Sequence, residues 1–150
     1  MKNNITKLST KSLKSLLLLA SLSTVLTACS NNTATLPLDE ELPGMWTVES
    51  INDSPTIKDS KVDLKFTAEN QLSGSASCNN FSTGYTIENN TLTIGQMAVT
   101  RKMCLPALMD QESSVLQALS KVKRFALNNG QLSLFDQQGV VQLKARRTKS

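Results

Sequence analysis

Val62-Asp63-Leu64-Lys65-Phe66-Thr67-Ala68-Glu69-Asn70-Gln71-Leu72-Ser73-Gly74-Ser75-Ala76-Ser77 reads as a strand, a turn and a second strand. Val62, Leu64 and Phe66 alternate with Asp63, Lys65 and Thr67. That period of two sets one strand face on a core and the other in water. Glu69-Asn70 turns the chain. The return strand has few large side chains, and Gly74 in its middle predicts either a bulge or a close approach of neighbouring backbone. The same pattern continues on both sides. Upstream, Pro43-Gly44 opens a domain, Trp46 to Ile51 alternates, and Asn52-Asp53-Ser54-Pro55 is a turn cluster. Downstream, Phe81 to Ile87 is a strand with a bend at Gly84, Glu88-Asn89-Asn90 is a hairpin signal, and Thr91 to Gly95 returns from it. Three strands close the domain: Phe125–Leu127, Gln131–Phe135 and Val140–Lys144, with turns at Asn128-Asn129-Gly130 and Asp136-Gln137-Gln138-Gly139.

Between the two sets lies one helix. Pro106 suits a first turn, where its missing N–H is not needed. Leu108, Val115, Leu116 and Leu119 share a face, with Met109 and Glu112 on its edge. Asp110 and Glu112 near one end, and Lys121, Lys123 and Arg124 near the other, complement the helix dipole. The expected fold is α+β: about eight short, mostly antiparallel strands in a curved sheet or partly open barrel, with one helix.

Ahead of this domain the chain has another character. Lys2, Lys7, Lys11 and Lys14 precede an apolar run from Leu16 to Leu26, followed by Thr27-Ala28-Cys29. Charged region, short apolar region and small-residue cleavage site make a secretory signal. The run is shorter than the ~20 residues needed to cross a bilayer. Leu26-Thr27-Ala28-Cys29 resembles a bacterial lipobox, with an ordinary signal peptide and an incidental cysteine as the alternative. The resemblance implies that residues 1–28 are removed and that Cys29 is acylated, with palmitate among its chains, and anchors the protein to a membrane. Ser30 in place of Asp resembles outer-membrane sorting in enterobacteria. Residues 29–42 are polar, Pro-containing and acidic, with almost nothing to bury, and read as a flexible tether.

The formal charge of +4 belongs to the signal. Of 16 basic residues, four precede Cys29, leaving twelve against twelve acidic ones, so the mature chain is neutral. A neutral chain has no global field to collect phosphate, and no nucleic acid is expected as a partner. Lys144-Ala145-Arg146-Arg147-Thr148-Lys149 is a local basic cluster, read as a solvated tail over residues 147–150, with contact to anionic lipid or lipopolysaccharide as the alternative.

With Cys29 lipidated, Cys78 and Cys104 remain. In an exported chain an even pair reads as a disulfide, closing a loop worth on the order of 3 kcal/mol. Two thiols holding a metal is the weaker alternative, because a closed zinc site wants four ligands and the chain has no histidine. No metal and no cofactor are expected.

The stretch Leu72 to Tyr85 carries a resemblance. Gly74, Cys78-Asn79, Phe81, Gly84 and Tyr85, with Thr100-Arg101-Lys102-Met103-Cys104 further on, are similar to the motifs of the META domain family, which includes the HslJ-like heat-shock lipoproteins. Trp46 and the closing Leu132 to Gly139 fit as well, so the resemblance spans about Leu42 to Ala145, within a domain placed at residues 43–146. Ser77 departs from it, since the family usually has Gly there, and Gly84 comes one place late. The resemblance implies a Cys78–Cys104 disulfide and no catalytic residue. It implies an envelope protein linked to stress response or antibiotic tolerance.

The residues themselves offer little for catalysis. The absence of histidine removes the Ser-His-Asp triad and the Cys-His pair. Glu49, Asp63, Glu69 and Glu88 fall on polar faces or turns, unlike a glycosidase pair. Asn79, Asn80 and Phe81 form a candidate recognition loop, against the plainer reading of an Asx turn beside a disulfide. Arg101-Lys102 is a candidate patch or a solvated loop. The expectation is a non-enzymatic lipoprotein of the bacterial cell envelope, on the outer membrane facing the periplasm, that binds or supports an envelope protein, peptidoglycan or lipopolysaccharide. The alternative is a periplasmic inhibitor of a hydrolase. An exposed Phe81 favours the inhibitor, since inhibitory loops present an anchor side chain, and a buried one favours the scaffold.

Overall fold

The computed structural model describes residues 41–148. The signal peptide, Cys29 and nearly all of the expected tether lie outside the described residues. Ten strands and the helix Pro106–Lys121 follow in chain order: β1 Gly44–Ile51, β2 Ser54–Pro55, β3 Asp63–Phe66, β4 Gln71–Ser75, β5 Asn80–Glu88, β6 Thr91–Ile94, β7 Ala98–Val99, then the helix, β8 Arg124–Asn128, β9 Gln131–Phe135 and β10 Val141–Arg147. Eight of them sit where the alternation places strands. The other two, β2 and β7, have two residues each, too few to show a period.

All strand pairings are antiparallel, in the order β6-β5-β4-β3-β1-β10-β9-β8, with β2 added on β1 and β7 on β5. The outer strands β6 and β8 approach each other, and Leu92 N donates to Lys123 O at 2.8 Å. The sheet is therefore a nearly closed barrel, the α+β fold read from the sequence. Its turns follow from residue chemistry. Asn52-Asp53, Asn89-Asn90 and Asn129-Gly130 all have positive φ, the geometry of a two-residue hairpin whose twist matches its strands.

The alternating faces deliver one core. Trp46 and Val48 from β1, Leu64 and Phe66 from β3, Leu72, Phe81 and Tyr85, Leu132 and Leu134, and Leu143 and Ala145 are all buried. The helix covers it with Val115, Ala118 and Leu119. Phe66 and Tyr85 meet edge to face at 5.3 Å. The Tyr85 phenol donates to Thr67 O at 2.8 Å; burial, and then the Glu69 charge, push its pKa above the ordinary tyrosine value. Lys121 lies in the last helical turn as the dipole reading asks, but no acidic residue lies in the first.

Gly74 marks close packing, not a bulge. Its register with β5 is continuous, but a Cβ there would stand 1.9 Å from Asp63 O. The Asp63 carboxylate takes part in this approach, accepting from Ser75 N at 3.1 Å.

Both expected domain boundaries shift outward. Leu42, counted with the tether, is fully buried, and its carbonyl accepts from Trp46 Nε1 at 2.9 Å. The basic cluster is mostly the last strand and not a tail. Lys144 pairs with Asp53 at 3.0 Å and Arg146 with Glu49 at 2.7 Å. Arg147 lies over the Trp46 ring at 4.3 Å and donates to the carbonyls of Pro43 and Glu41. Pairing of β10 with β1 sets Arg147 opposite Trp46 and brings Arg146 and Lys144 within reach of Glu49 on β1 and Asp53 in the turn after it, which local composition cannot reveal.

Candidate functional site

The β4–β5 turn, residues 76–79, and the segment 99–105 are fastened together at the end of β3 and β4 away from Leu42. Gly44 pairs with Phe66, whereas Val62 bridges to Ala76 at the other end of β3. Beyond Val99, which ends β7 against Phe81, the segment 99–105 has no regular structure of its own, and two main ties hold it.

The first tie is a disulfide, Cys78–Cys104, with its Cα atoms 5.9 Å apart. It bears out the pairing expected from the cysteine count. The second is Asn79. Its side chain is buried. Its Oδ1 accepts from Lys102 N at 2.7 Å and from the Thr100 hydroxyl at 2.9 Å. Its Nδ2 donates to Lys102 O at 3.2 Å and to Glu112 Oε2 at 3.0 Å. Its backbone N–H donates to the same Oε2 at 2.8 Å. One amide thus joins the turn, the segment and the helix, as a buried amide must find partners for both its ends. Asn80 N and O add bonds to the Thr100 hydroxyl and Thr100 N, at 3.1 and 3.0 Å.

The three residues of the candidate recognition loop therefore do different things. Asn79 is a structural tie made over long separations and not through the Asx turn of the plainer reading, with Glu112 as a partner that no local motif points to. Phe81 is 3% exposed and belongs to the core. Only Asn80 presents a surface. The burial of Phe81 is the outcome that favours a scaffold over an inhibitor loop anchored there.

Ser77 has φ of 104°, a region that favours glycine and strains a side chain. Its hydroxyl is buried without a hydrogen-bond partner. This explains in physical terms why glycine suits the position. Ser77→Gly is expected to raise stability by about 1 kcal/mol, relief of strain outweighing the added unfolded-state entropy. An unchanged or lower midpoint in chemical denaturation would contradict this.

What the ties expose is apolar. Met103 is 88% and Leu105 73% exposed, and Met109 on the first turns of the helix 37%. Among the described residues, three of the six exposed large apolar side chains fall within these seven positions. Met103 and Met109, with Met97, Glu112 and Leu116, also line a groove of about 500 Å³ between the segment and the helix. Arg101-Lys102 is legible in the sequence as a patch and Met109 as the edge of a helix face, whereas Met97 and Met103 lack the periodicity that flags a face. Exposed Met-rich surfaces suit binding, since the unbranched thioether adapts to varied contours.

Comparison with known proteins agrees with this fold. The META domain model matches residues 39–148. A solved structure described as "NMR structure of the protein" is 27% identical with a TM-score of 0.59, covering 73% of this chain and 93% of its own. A second NMR structure, from Burkholderia xenovorans, is 18% identical with a TM-score of 0.62, covering 81% and 97%. A crystal structure of a duf4847 family protein from Bacteroides vulgatus is 14% identical with a TM-score of 0.54, covering 74% and 98%, and shows the shared fold alone. Among curated proteins none matches. With the match running through every strand and the helix, this chain belongs to the META domain family.

Proposed function

We propose that this protein is a non-enzymatic, lipid-anchored envelope protein of the HslJ-like branch, acting in stress or antibiotic tolerance by binding another envelope component. The observation that carries the binding reading is the segment 99–105. Two ties hold it, yet its large side chains, Met103 and Leu105, face outward. Ordering exposed apolar groups costs free energy with no return from burial within the chain, so their fixed display favours a surface that meets something else. The location follows from the sequence: Lys2 to Lys14, the Leu16–Leu26 run and Leu26-Thr27-Ala28-Cys29 support export, acylation of Cys29 and a periplasm-facing anchor. An oxidising compartment also suits the Cys78–Cys104 bond.

The test is the mass of the mature N-terminal peptide from membranes of cells producing the full chain. A diacylglyceryl cysteine at Cys29 is expected. An unmodified Cys29, or a chain retaining residues 1–28, would overturn the anchor. Fractionation placing the protein in the inner membrane alone would overturn the outer-membrane assignment.

A further inference from the structure

We infer that the tip formed by Arg101, Lys102, Met103 and Leu105 is a membrane-contact site that seats in the interface of an anionic phospholipid bilayer. The inference rests on the anchored reading above, and adds to it a second contact at the far end of the domain.

Three observations support it. The first is the chemistry of the tip. Met103 and Leu105 are the two most exposed large apolar side chains among the described residues, and Arg101 and Lys102 directly precede them, both exposed. Apolar side chains set beside cations suit a bilayer surface, where the former enter the headgroup–acyl boundary and the latter meet lipid phosphates.

The second is charge. Ion pairs among the described residues join Lys61 to Asp63, Lys144 to Asp53 and Arg146 to Glu49. Arg101 and Lys102 are in none of them. From Gly95 to Met109 there is no acidic residue. Of the two acids that follow, Glu112 is turned into hydrogen bonds with Asn79, and Asp110 is exposed on the helix beyond the tip. The cluster at Lys144–Arg147, which composition alone would nominate for lipid, has its charges met by Asp53, Glu49 and Trp46.

The third is reach. The pairs Gly44–Phe66 at one end of β3 and Val62–Ala76 just beyond the other lie four residue steps or roughly 13 Å apart. Between Cys29 and Glu41 lie eleven residues, whose covalent span is up to roughly 36–40 Å. That span exceeds the separation of the two pairs roughly threefold, so the tether does not bar the tip from the leaflet that holds the lipid.

The experiment uses the full mature chain carrying Leu105→Trp, purified from membranes, its mass at Cys29 confirmed, in vesicles of phosphatidylethanolamine with a minority of phosphatidylglycerol. Trp46 is buried and supplies a constant background. Brominated lipids should quench about half of the introduced indole's emission, as expected for a side chain ~5–10 Å into the headgroup–acyl boundary. Met45→Trp, at the Leu42 end, should escape quenching. Replacing Arg101 and Lys102 together with glutamine should lower the bound fraction by roughly tenfold in equilibrium terms, as should omission of phosphatidylglycerol. A lipidated chain whose indole at position 105 stays unquenched overturns the tip and leaves the anchor standing. Quenching equal to that of Met45→Trp, or unchanged without phosphatidylglycerol, overturns it too. Selective capture of a protein by a tip that ignores vesicles would overturn it in favour of a protein partner.

Discussion

Gly74→Ala is expected to destabilise the domain by about 3 kcal/mol or more, at the upper end of overpacking effects. The added methyl would fall 1.9 Å from Asp63 O. The obstacle is backbone, so no rotamer change relieves it. Relief requires β3 and β4 to separate, which would also strain the Ser75 N bond to Asp63 Oδ1. Gly84→Ala is the control. Its nearest neighbour would be Asn70 O at 3.8 Å, an ordinary contact, so that change should be neutral or stabilise by up to about 1 kcal/mol. Urea denaturation of the two variants measures the difference. Equal stabilities would show that the β3–β4 approach is looser than described.

Cys104→Ser is expected to cost about 2–5 kcal/mol, as is usual when a small exported domain loses a native bridge. The bond closes a separation of 26 residues, so it constrains the unfolded chain as well as the segment 99–105. Most strands lie outside that loop, and Asn79 still holds Lys102 and Thr100. The variant should therefore remain folded at low temperature, and fresh amide exchange should concentrate in residues 99–105. Thermal denaturation with and without reductant checks this: reductant should lower the midpoint of the native protein and leave Cys104→Ser unchanged. A reductant-insensitive native protein would mean that the bridge contributes nothing.

Much of this architecture was legible in the chain. Val62-Asp63-Leu64-Lys65-Phe66 and its neighbours carry the period of two because each strand has one face on the barrel core, and the asparagines at 52, 89, 90 and 129 announce hairpins because they accept positive φ. The inward turn of Phe81, which the sequence leaves open, comes from its sharing the buried face of β5 with Thr83 and Tyr85. What stayed hidden depends on long separations. Arg147 is drawn onto Trp46 by strand register across the whole domain. Asn79 meets Glu112 across 33 residues. Met97, Met103 and Met109 share a groove only because a disulfide and one amide position the segment that carries Met103 beside the helix that carries Met109. Pairwise geometry of this kind leaves no periodic trace, so the candidate site was less readable than the fold that builds it.

We propose that this domain works by contact through its tied apolar tip. The most direct measurement is photo-crosslinking in intact cells, with a photoreactive residue placed at Leu105 and, for comparison, at Lys65, which is exposed on β3. Phospholipid adducts are expected from position 105 and none from position 65. Adducts from position 65 alone, or the same yield from both, would contradict it.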